Sequence, residues 1–375
     1  MKNIDDFINH RLQERREAGN LRALRAETGM IDFCSNDYLG FARSEELARL
    51  ADIEIQRLPV HLNGSTGSRL ISGNTAYTDL LEAELAAFHQ SQSGLLFNSG
   101  YDANIGLFSS LPQRGDTIIT DELIHASVID GCRLSHANRY TFKHNDPDAL
   151  EQKLRNAKGN CYVAIESVYS MDGDVPPILE ILKLTQEYGA SLIVDEAHAV
   201  GLYKRGLIAE LGLQDRVFAR VVTFGKALGC HGAIVLGSAD LREYLINFAR
   251  SFIYTTAAPI HQLAAIRAAY QLLDKADEQT RQLKVNIDLF KSSLSNEARN
   301  HLIDSDSAIQ CLIVSGNERA RTLANYLQSN NFDVRAILSP TVAIGLERIR
   351  VCVHSYNSEN DITLLTQVIN LFFNA

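Results

Sequence analysis

The sequence predicts an α/β protein with a large, mainly parallel sheet covered by helices on both faces, and a smaller C-terminal α+β domain. Continuous apolar runs alternate with helical segments between residues 95 and 236, which is typical of strands buried on both faces. About the last hundred residues change to shorter strands and helices, which indicates a separate unit. We therefore expect an N-terminal segment at 1–40, a large domain at 41–272 and a C-terminal domain at 273–375.

Composition places the chain among ordinary soluble globular proteins. Its 375 residues can bury a large core, and 46% hydrophobic with 22% charged residues is usual for that class. The net charge is −9, and no basic block indicates nucleic acid or an anionic membrane. The start lacks a signal peptide, and no run approaches the roughly 20 apolar residues of a spanning helix. The six scattered cysteines favour reduced thiols, so we expect a cytoplasmic protein without a metal site.

The first ninety or so residues alternate helices with turn-rich segments. An amphipathic helix is predicted over residues 4–25, and a short strand at 31–35. Residues 63–69 and 72–74 are rich in glycine and hydroxyl groups, so their backbone amides could face an anion. No strand precedes this loop, and its spacing matches neither the P-loop nor the dinucleotide fingerprint. A helix over 76–89 follows.

Several predicted strands of the large domain end beside a residue that can take part in chemistry. In parallel sheets, functional sites gather at the carboxyl ends of the strands. We therefore expect four side chains to lie at one edge of the sheet. They are His125, Glu166, Asp195 and Lys226.

Lys226 lies in a turn after the strand that ends at Thr223, among small residues and glycines. Lysines are usually solvated, and burial would lower the pKa of the amine and make it a usable nucleophile for a carbonyl. Taken alone, the segment fits a surface-loop lysine equally well, because glycine and lysine are common at turns.

Asp195 ends an earlier strand, and two roles fit it. One is a cap on a following helix. The other is a buried carboxylate that needs a cationic partner. Together with Lys226, the second role favours pyridoxal phosphate, whose enzymes pair a lysine with the aldehyde and an acid with the ring nitrogen.

Other side chains fit the same cofactor. His198 could hydrogen-bond its phenolic oxygen, and His125 could lie flat on its ring, although either histidine alone is more often structural. Gly100 and Tyr101 open a helix after a strand, and the free amides and dipole at a helix N-terminus favour a phosphate.

A set of short motifs, taken in order, carries a family resemblance over most of the chain. The motifs are Ser35–Gly40, Gly64–Arg69, His125–Ser127, Ser170–Asp174, Asp195–His198, Thr223–Lys226, Ile253–Thr256, Pro340–Val342 and Arg348–Arg350. The chain resembles the α-oxoamine synthase family of fold-type-I pyridoxal phosphate enzymes, and within it most of all the member that acts in biotin biosynthesis.

The resemblance implies a role for each motif. Lys226 holds the cofactor covalently and later moves the α-proton of the substrate, and Asp195 pairs with the ring nitrogen. His198 pairs with the phenolic oxygen, while His125 stacks on the ring and helps to polarise the acyl carbonyl. Further cofactor contacts are implied for Gly100, Tyr101, Ser170, Thr223, Thr255 and Thr256. The two threonines at 255 and 256 would reach the phosphate of the neighbouring subunit in a homodimer. On the substrate side, Arg350 would take the carboxylate, and the residues implied to line this side are Arg22, Asn36 and Thr341.

The implied reaction is a decarboxylative condensation of L-alanine with an acyl-CoA, with pimeloyl-CoA favoured. Three alternatives remain open from the sequence. A sister synthase would use glycine or serine with another acyl-CoA. A fold-type-I aminotransferase would need no acyl-CoA. A catalytically silent partner subunit would be expected to have lost Lys226, which is present.

Overall fold

The structure is a computed structural model that describes residues 3–24, 26, 29–58 and 63–374. Its α-helices are α1 (Ile4–Glu17), α2 (Glu45–Gln56), α3 (Ala76–Phe88), α4 (Gly100–Ser110), α5 (Ala126–Leu134), α6 (Pro147–Leu154), α7 (Ile178–Glu187), α8 (Leu207–Glu210), α9 (Ala239–Phe248), α10 (Arg250–Ile253), α11 (Ile260–Leu273), α12 (Asp277–Ser293), α13 (Asn296–Arg299), α14 (Asn317–Ser329) and α15 (Glu359–Phe373). Its strands are β1 (Ile31–Asp32), β2 (Ser93–Phe97), β3 (Thr117–Asp121), β4 (Asn138–Phe142), β5 (Cys161–Glu166), β6 (Ser191–Asp195), β7 (Ala219–Thr223), β8 (Ala233–Gly237), β9 (Ile309–Ile313), β10 (Phe332–Asp333), β11 (Arg335–Ile337) and β12 (Arg348–Cys352).

The large sheet has seven strands in the order β2-β8-β7-β6-β5-β3-β4. Every neighbouring pair from β7 to β4 is parallel, which confirms the predicted mainly parallel sheet. Strand β8 is the exception, since it runs antiparallel to both neighbours. Only residues 224–232 separate β7 from β8. A parallel return needs a crossover of roughly a dozen residues or more, so the chain turns back on itself after Lys226.

Helices cover both faces of this sheet, as the continuous apolar strands predict. Alternate residues of a strand point to opposite faces. In β5, Tyr162 and Ala164 belong to an apolar cluster with Leu107 of α4. Val163 of the same strand belongs to a cluster with Ile181 of α7 on the other face. The sheet edge formed by the carboxyl ends of its parallel strands therefore stands on a rigid, two-sided core.

The C-terminal part contains an antiparallel sheet of three strands in the order β11-β12-β9. The short strand β1 from the N-terminal segment pairs parallel with β10, with Ile31 beside Phe332. The Phe33 carbonyl then accepts from the Cys352 amide at 2.8 Å. These contacts bring residues 35–40 against the end of β12 and towards the large sheet.

The N-terminal helix is shorter than the predicted 4–25. It ends at Glu17 with Ala18 as its C-cap, and Gly19 then adopts a positive φ of 61°. A residue in that left-handed conformation ends a helix, and glycine adopts it without strain. Residue 25, the predicted end, lies outside the described residues. In the described part of the chain, no helix combines the length and apolarity needed to cross a membrane.

Candidate active site

Lys226 lies three residues beyond β7, at the carboxyl edge of the sheet. Its Nζ is 2.6 Å from Nε2 of His198. Burial lowers the pKa of the Lys226 amine to about 8, and the opposing attraction of the Asp195 carboxylate does not offset this effect. The turn that carries Lys226 needs Gly229, which has a φ of 61° and whose added Cβ would lie 2.2 Å from the Ala42 nitrogen. The lysine is thus a partly buried amine in a tightly packed turn.

His198 connects Lys226 to residues near the end of β12. Its Nδ1 is 2.7 Å from the hydroxyl of Tyr38, which donates to Oδ1 of Asn36 at 3.0 Å. The same Asn36 oxygen accepts from Nη2 of Arg350 at 3.0 Å. Burial, followed by repulsion from Lys226 and Arg350, holds the pKa of His198 well below its usual value, so the ring is neutral at physiological pH. The residues implied for the lysine side and for the carboxylate side therefore lie in one hydrogen-bonded chain.

Asp195 is the end of β6 and is only 8% exposed. Its Oδ1 accepts from the Ala197 amide at 2.9 Å, but the next helix, α8, begins only at Leu207. The helix-capping alternative is therefore wrong. Its Oδ2 accepts from Nδ2 of Asn104 on α4 at 2.8 Å. The carboxylate is held by two donors at the sheet edge, beside Lys226.

A second network joins Asp195 to His125. Nδ2 of Asn104 also donates to Oγ of Ser127 at 2.9 Å, and this hydroxyl is 2.7 Å from Nδ1 of His125. The Ser127 amide donates to the same Nδ1 at 3.2 Å. Because a backbone N–H can only donate, Nδ1 is an acceptor and the proton of the neutral ring is on Nε2. Desolvation, together with the charge on Lys226, lowers the pKa of His125 against the attraction of Asp195, so the ring is neutral near pH 7.

Glu166 is a second acid at this edge, at the end of β5 and in register with Asp195. It is 2% exposed, and Oε2 accepts from the Ser170 amide at 3.2 Å. No described residue provides a partner for Oε1. Burial and repulsion from Asp195 raise the pKa of Glu166 to about 8, so this carboxyl is mostly protonated at neutral pH. At neutral pH, Asp195 therefore carries the negative charge at this edge of the sheet.

The N-terminus of α4 lies next to the end of β7. Ser99 caps the helix by accepting from the Asp102 amide at 3.0 Å, and Gly100 follows it. A Cβ at Gly100 would lie 3.4 Å from Thr223, so the strand end and the helix start are in contact. Tyr101 is exposed, and its hydroxyl donates to Asp130 at 2.6 Å. The first amides of a helix are free to bind an anion such as a phosphate.

Two more of the sequence-predicted cofactor contacts lie close to this helix start. The side-chain amide of Asn98 donates to Oγ1 of Thr255 at 3.0 Å and to the carbonyl of Thr256 at 2.9 Å. Ser170, which follows β5, is buried, and its carbonyl accepts from Nε of Arg350 at 2.9 Å. Thr255 and Thr256 therefore contact the segment that leads into α4 of their own chain. Their contacts with the cofactor and with a neighbouring subunit stay predictions.

Arg22 and Thr341 do not belong to either hydrogen-bonded network. Both line an open groove of about 1150 Å³ between the segment after α1, helix α14 and the segment after β11. The groove is basic, since its lining includes four arginines. They are Arg15, Arg22, Arg321 and Arg335. This basic groove is large enough for an extended anionic substrate.

Sequence reasoning assigned no role to several residues that the structure places in the networks. They are Tyr38, Asn104 and Ser127. Asn104 could have been found from the sequence, because it lies four residues after Gly100. That spacing puts it on the same side of α4, one turn further on. Tyr38 and Ser127 belong to recognised motifs, but nothing in the sequence indicates their hydrogen-bond partners.

Comparison with known proteins identifies relatives over nearly the whole chain. A family model described as aminotransferase class I and II matches residues 28–369. An 8-amino-7-oxononanoate synthase of Emericella nidulans is 47% identical over 365 residues, which cover 90% of this chain and 88% of the relative. A putative 8-amino-7-oxononanoate synthase of Bacillus licheniformis is 38% identical over 365 residues, covering 96% and 95% of the two chains.

Solved structures share the fold. The 8-amino-7-oxononanoate synthase of Francisella tularensis superposes with a TM-score of 0.76 at 28% identity, over 92% of this chain and 98% of that one. A serine palmitoyltransferase of Sphingomonas wittichii superposes with a TM-score of 0.88 at 25% identity, over 99% and 97% of the two chains.

Proposed function

The chain belongs to the aminotransferase class I and II family, and from that premise we propose that it is a pyridoxal phosphate enzyme that condenses L-alanine with an acyl-CoA. Pimeloyl-CoA is the favoured acyl donor, and the products are then 8-amino-7-oxononanoate, coenzyme A and carbon dioxide. The observation that carries the proposal is the amine of Lys226, with its pKa lowered to about 8, beside His198 and near Asp195 at one sheet edge. The names of the relatives support the same reaction.

The residues at this edge fit pyridoxal phosphate. Lys226 provides an amine for the aldehyde, and Asp195 a buried carboxylate for the ring nitrogen. The start of α4 at Gly100, together with Thr223 and Ser170, provides small or hydroxyl side chains and free amides for the phosphate. When bound, the cofactor supplies an electron sink for the carbanion formed at the α-carbon of the amino acid.

Lys226 is suited to move the α-proton. With a pKa of about 8, roughly a quarter of the amine is neutral at pH 7.5. A neutral amine can accept the α-proton, and the ammonium can return it after carbon dioxide has left. His198, which is neutral and 2.6 Å away, stabilises the amine without adding a competing positive charge.

Arg350 is suited to bind the substrate carboxylate. Its guanidinium is oriented by the Ser170 carbonyl and by Asn36, and a planar fork binds a carboxylate through two donors. His125 carries its proton on Nε2, because Nδ1 accepts from Ser127. This N–H can donate to the thioester carbonyl of the incoming acyl-CoA as its oxygen gains negative charge.

The basic groove supports an acyl-CoA as the second substrate. Arg22 and Thr341 lie along it, with three further arginines that suit phosphate or carboxylate oxygens. We place the acyl-CoA in this groove. Arg22, Asn36 and Thr341 then line the substrate side, as the family resemblance implies.

A homodimer is part of the proposal. Thr255 and Thr256 would reach the phosphate held by a second copy of the chain. Helix α1 supports an interface between copies, because Ile4, Phe7 and Ile8 are exposed on it. An exposed apolar stripe of this kind is usually covered in the working assembly.

The test is an assay of the purified, cofactor-loaded protein with L-alanine, glycine and L-serine, each against acyl-CoAs of different length and terminal charge. Release of free coenzyme A and of carbon dioxide is measured. We expect alanine with pimeloyl-CoA to be the best pair. If another pair reacted faster, the assignment of alanine and pimeloyl-CoA would be wrong, but the assignment to the family would not be affected. If alanine reacted with a 2-oxo acid and released no coenzyme A, the protein would be an aminotransferase.

Lys226→Ala tests the role of the lysine. General acid–base steps typically contribute ~10²–10⁴-fold, so we expect turnover to fall at least that far and the visible absorption of bound cofactor to change. Lys183→Ala is the matched control, since Lys183 is exposed and pairs only with Glu187 at 3.7 Å. Normal turnover in the Lys226 variant would contradict the proposal.

A further inference from the structure

Arg335 is an arginine of the basic groove that adjoins the amino-acid side of the site. It belongs to β11, and in the antiparallel pair of β11 with β12 it is directly opposite Arg350. Residues directly opposite each other in such a pair share one face of the sheet, with their Cβ atoms roughly 4.5–5.5 Å apart. Arg335 also lines the groove, whereas Arg350 contacts Asn36 and the Ser170 carbonyl. One end of the groove is therefore next to the residue proposed to bind the substrate carboxylate.

Two arginines side by side on one face of a sheet repel each other, because like charges directly opposite are destabilising. Anions nearby relieve this repulsion. Arg335 has such a partner, since its Nη2 lies 2.7 Å from Oδ1 of Asp333, and its side chain remains 29% exposed to solvent. A guanidinium has several further N–H donors, so this contact leaves some of them for a ligand. An amino acid and a dicarboxylic acyl-CoA would together bring two carboxylates to the two arginines.

The groove beside Arg335 suits a short apolar chain that ends in an anion. Ile337 and Leu338 follow Arg335 closely and line the groove with apolar side chains. None of the described residues that line the groove is acidic, although the protein as a whole has a net charge of −9. Methylene groups are stabilised against apolar side chains, and a carboxylate fits the planar fork of an arginine.

We propose that Arg335 is a specificity-determining residue that binds the terminal carboxylate of a dicarboxylic acyl-CoA. The thioester has to meet the α-carbon of the amino acid, whose carboxylate lies at Arg350 in the proposed function. A short acyl chain that starts there can end one strand away, at Arg335. The inference rests on the proposed function, and it gives a physical reason why an acyl donor with a terminal charge is favoured over one without it.

Two variants remove the same ion pair and have different expected effects. Arg335→Gln removes the cation that binds the ligand. Asp333→Asn removes only the carboxylate that competes for this cation, and the arginine stays charged. If the pair of Arg335 and Asp333 were only structural, both variants would lose the same contact and would change ligand binding alike. If Arg335 binds the ligand, only Arg335→Gln weakens the binding.

The measurement is the affinity of the cofactor-loaded protein for pimeloyl-CoA and for heptanoyl-CoA, obtained by titration calorimetry. The two ligands have the same chain length and the same coenzyme, but only pimeloyl-CoA has a terminal carboxylate. Hydrogen bonds to charged groups typically change an affinity roughly 10–100-fold, and partial exposure favours the lower figure, so we expect a preference for pimeloyl-CoA of about tenfold. Arg335→Gln should lose this preference, whereas Asp333→Asn should keep or increase it.

Two results would overturn the inference: a preference for pimeloyl-CoA that survives in Arg335→Gln, or a preference that both variants lose equally. Loss of the preference in Arg22→Gln, with Arg335→Gln unchanged, would also overturn it, because Arg22 would then bind the carboxylate.

Release of coenzyme A from the same two ligands with L-alanine tests the proposed function separately. If the unmodified protein bound both ligands equally and released coenzyme A from both, the inference would be wrong and the proposed condensation would stand. If it released coenzyme A from neither, the proposed function would be wrong, whatever the affinities.

Discussion

His144 offers a quantitative test of the structure outside the site. It follows β4 and lies between two carboxylates, with Nδ1 2.9 Å from Asp121 and Nε2 2.8 Å from Asp174. Asp121 ends β3 and Asp174 follows β5, so the imidazole ties three neighbouring segments together. Desolvation acts to lower the pKa of His144, but the hydrogen bonds to the two carboxylates outweigh it and raise the pKa to about 9. The ring is therefore a cation throughout the physiological range.

The raised pKa of His144 stabilises the folded protein over a defined range of pH. The pKa is about 9 in the folded protein against 6.5 for an unperturbed histidine, and each pH unit is worth about 1.4 kcal/mol, so the contribution is about 3 kcal/mol. Because the folded state holds the proton more tightly, the stabilisation is complete below pH 6.5. It is lost as the pH rises through 9. Other groups also titrate in this range, so the unmodified protein must be compared with a variant that lacks only the His144 imidazole.

The assay is urea unfolding of the cofactor-loaded protein and of His144→Gln at pH 6 and pH 9.5, with protein and cofactor concentrations held fixed. We expect the free energy of unfolding of His144→Gln to be about 3 kcal/mol lower than that of the unmodified protein at pH 6. At pH 9.5 this difference should become much smaller. His136→Gln, on the exposed turn before β4, is the control and should show no gap at either pH. A gap of the same size at both pH values would refute the reasoning.

Two further predictions concern buried polar groups. Asn104→Ala removes the donor shared by Asp195 and Ser127, and because hydrogen bonds to charged groups are worth ~1.5–3 kcal/mol, we expect cofactor affinity to fall roughly 10–100-fold in an absorbance titration. An unchanged affinity would show that Asn104 does not orient Asp195. Arg220→Met leaves Glu196 buried without its partner at 3.4 Å and should cost ~3–5 kcal/mol in urea unfolding, and adding Glu196→Gln should restore most of that loss. If the double variant were no more stable than the single one, the loss would come from packing rather than from the stranded charge.

The fold class, the enzyme class and the cofactor were predicted correctly, and the family and its named relatives confirm them. Continuous apolar runs were enough to predict the mainly parallel sheet, because strands of such a sheet are buried on both faces. The end of α1 was missed, because the positive φ of Gly19 depends on the chain around it. The roles of individual site residues stay predictions, although the structure brings Lys226, His198, Asn36 and Arg350 into one chain of contacts.

By itself, the sequence predicted the mainly parallel sheet and the polar side chains that follow its strands, including Lys226, Asp195 and His125. These features are local, since the period of a strand and the residue that follows it can be read within a few positions. Only the tertiary structure decided which groups touch. Tyr38 meets His198 across 160 positions, and Asn104 meets Asp195 across 91. A hydrogen bond is directional and short, so contacts such as these depend on how whole elements pack together, and no pattern along the chain records that packing.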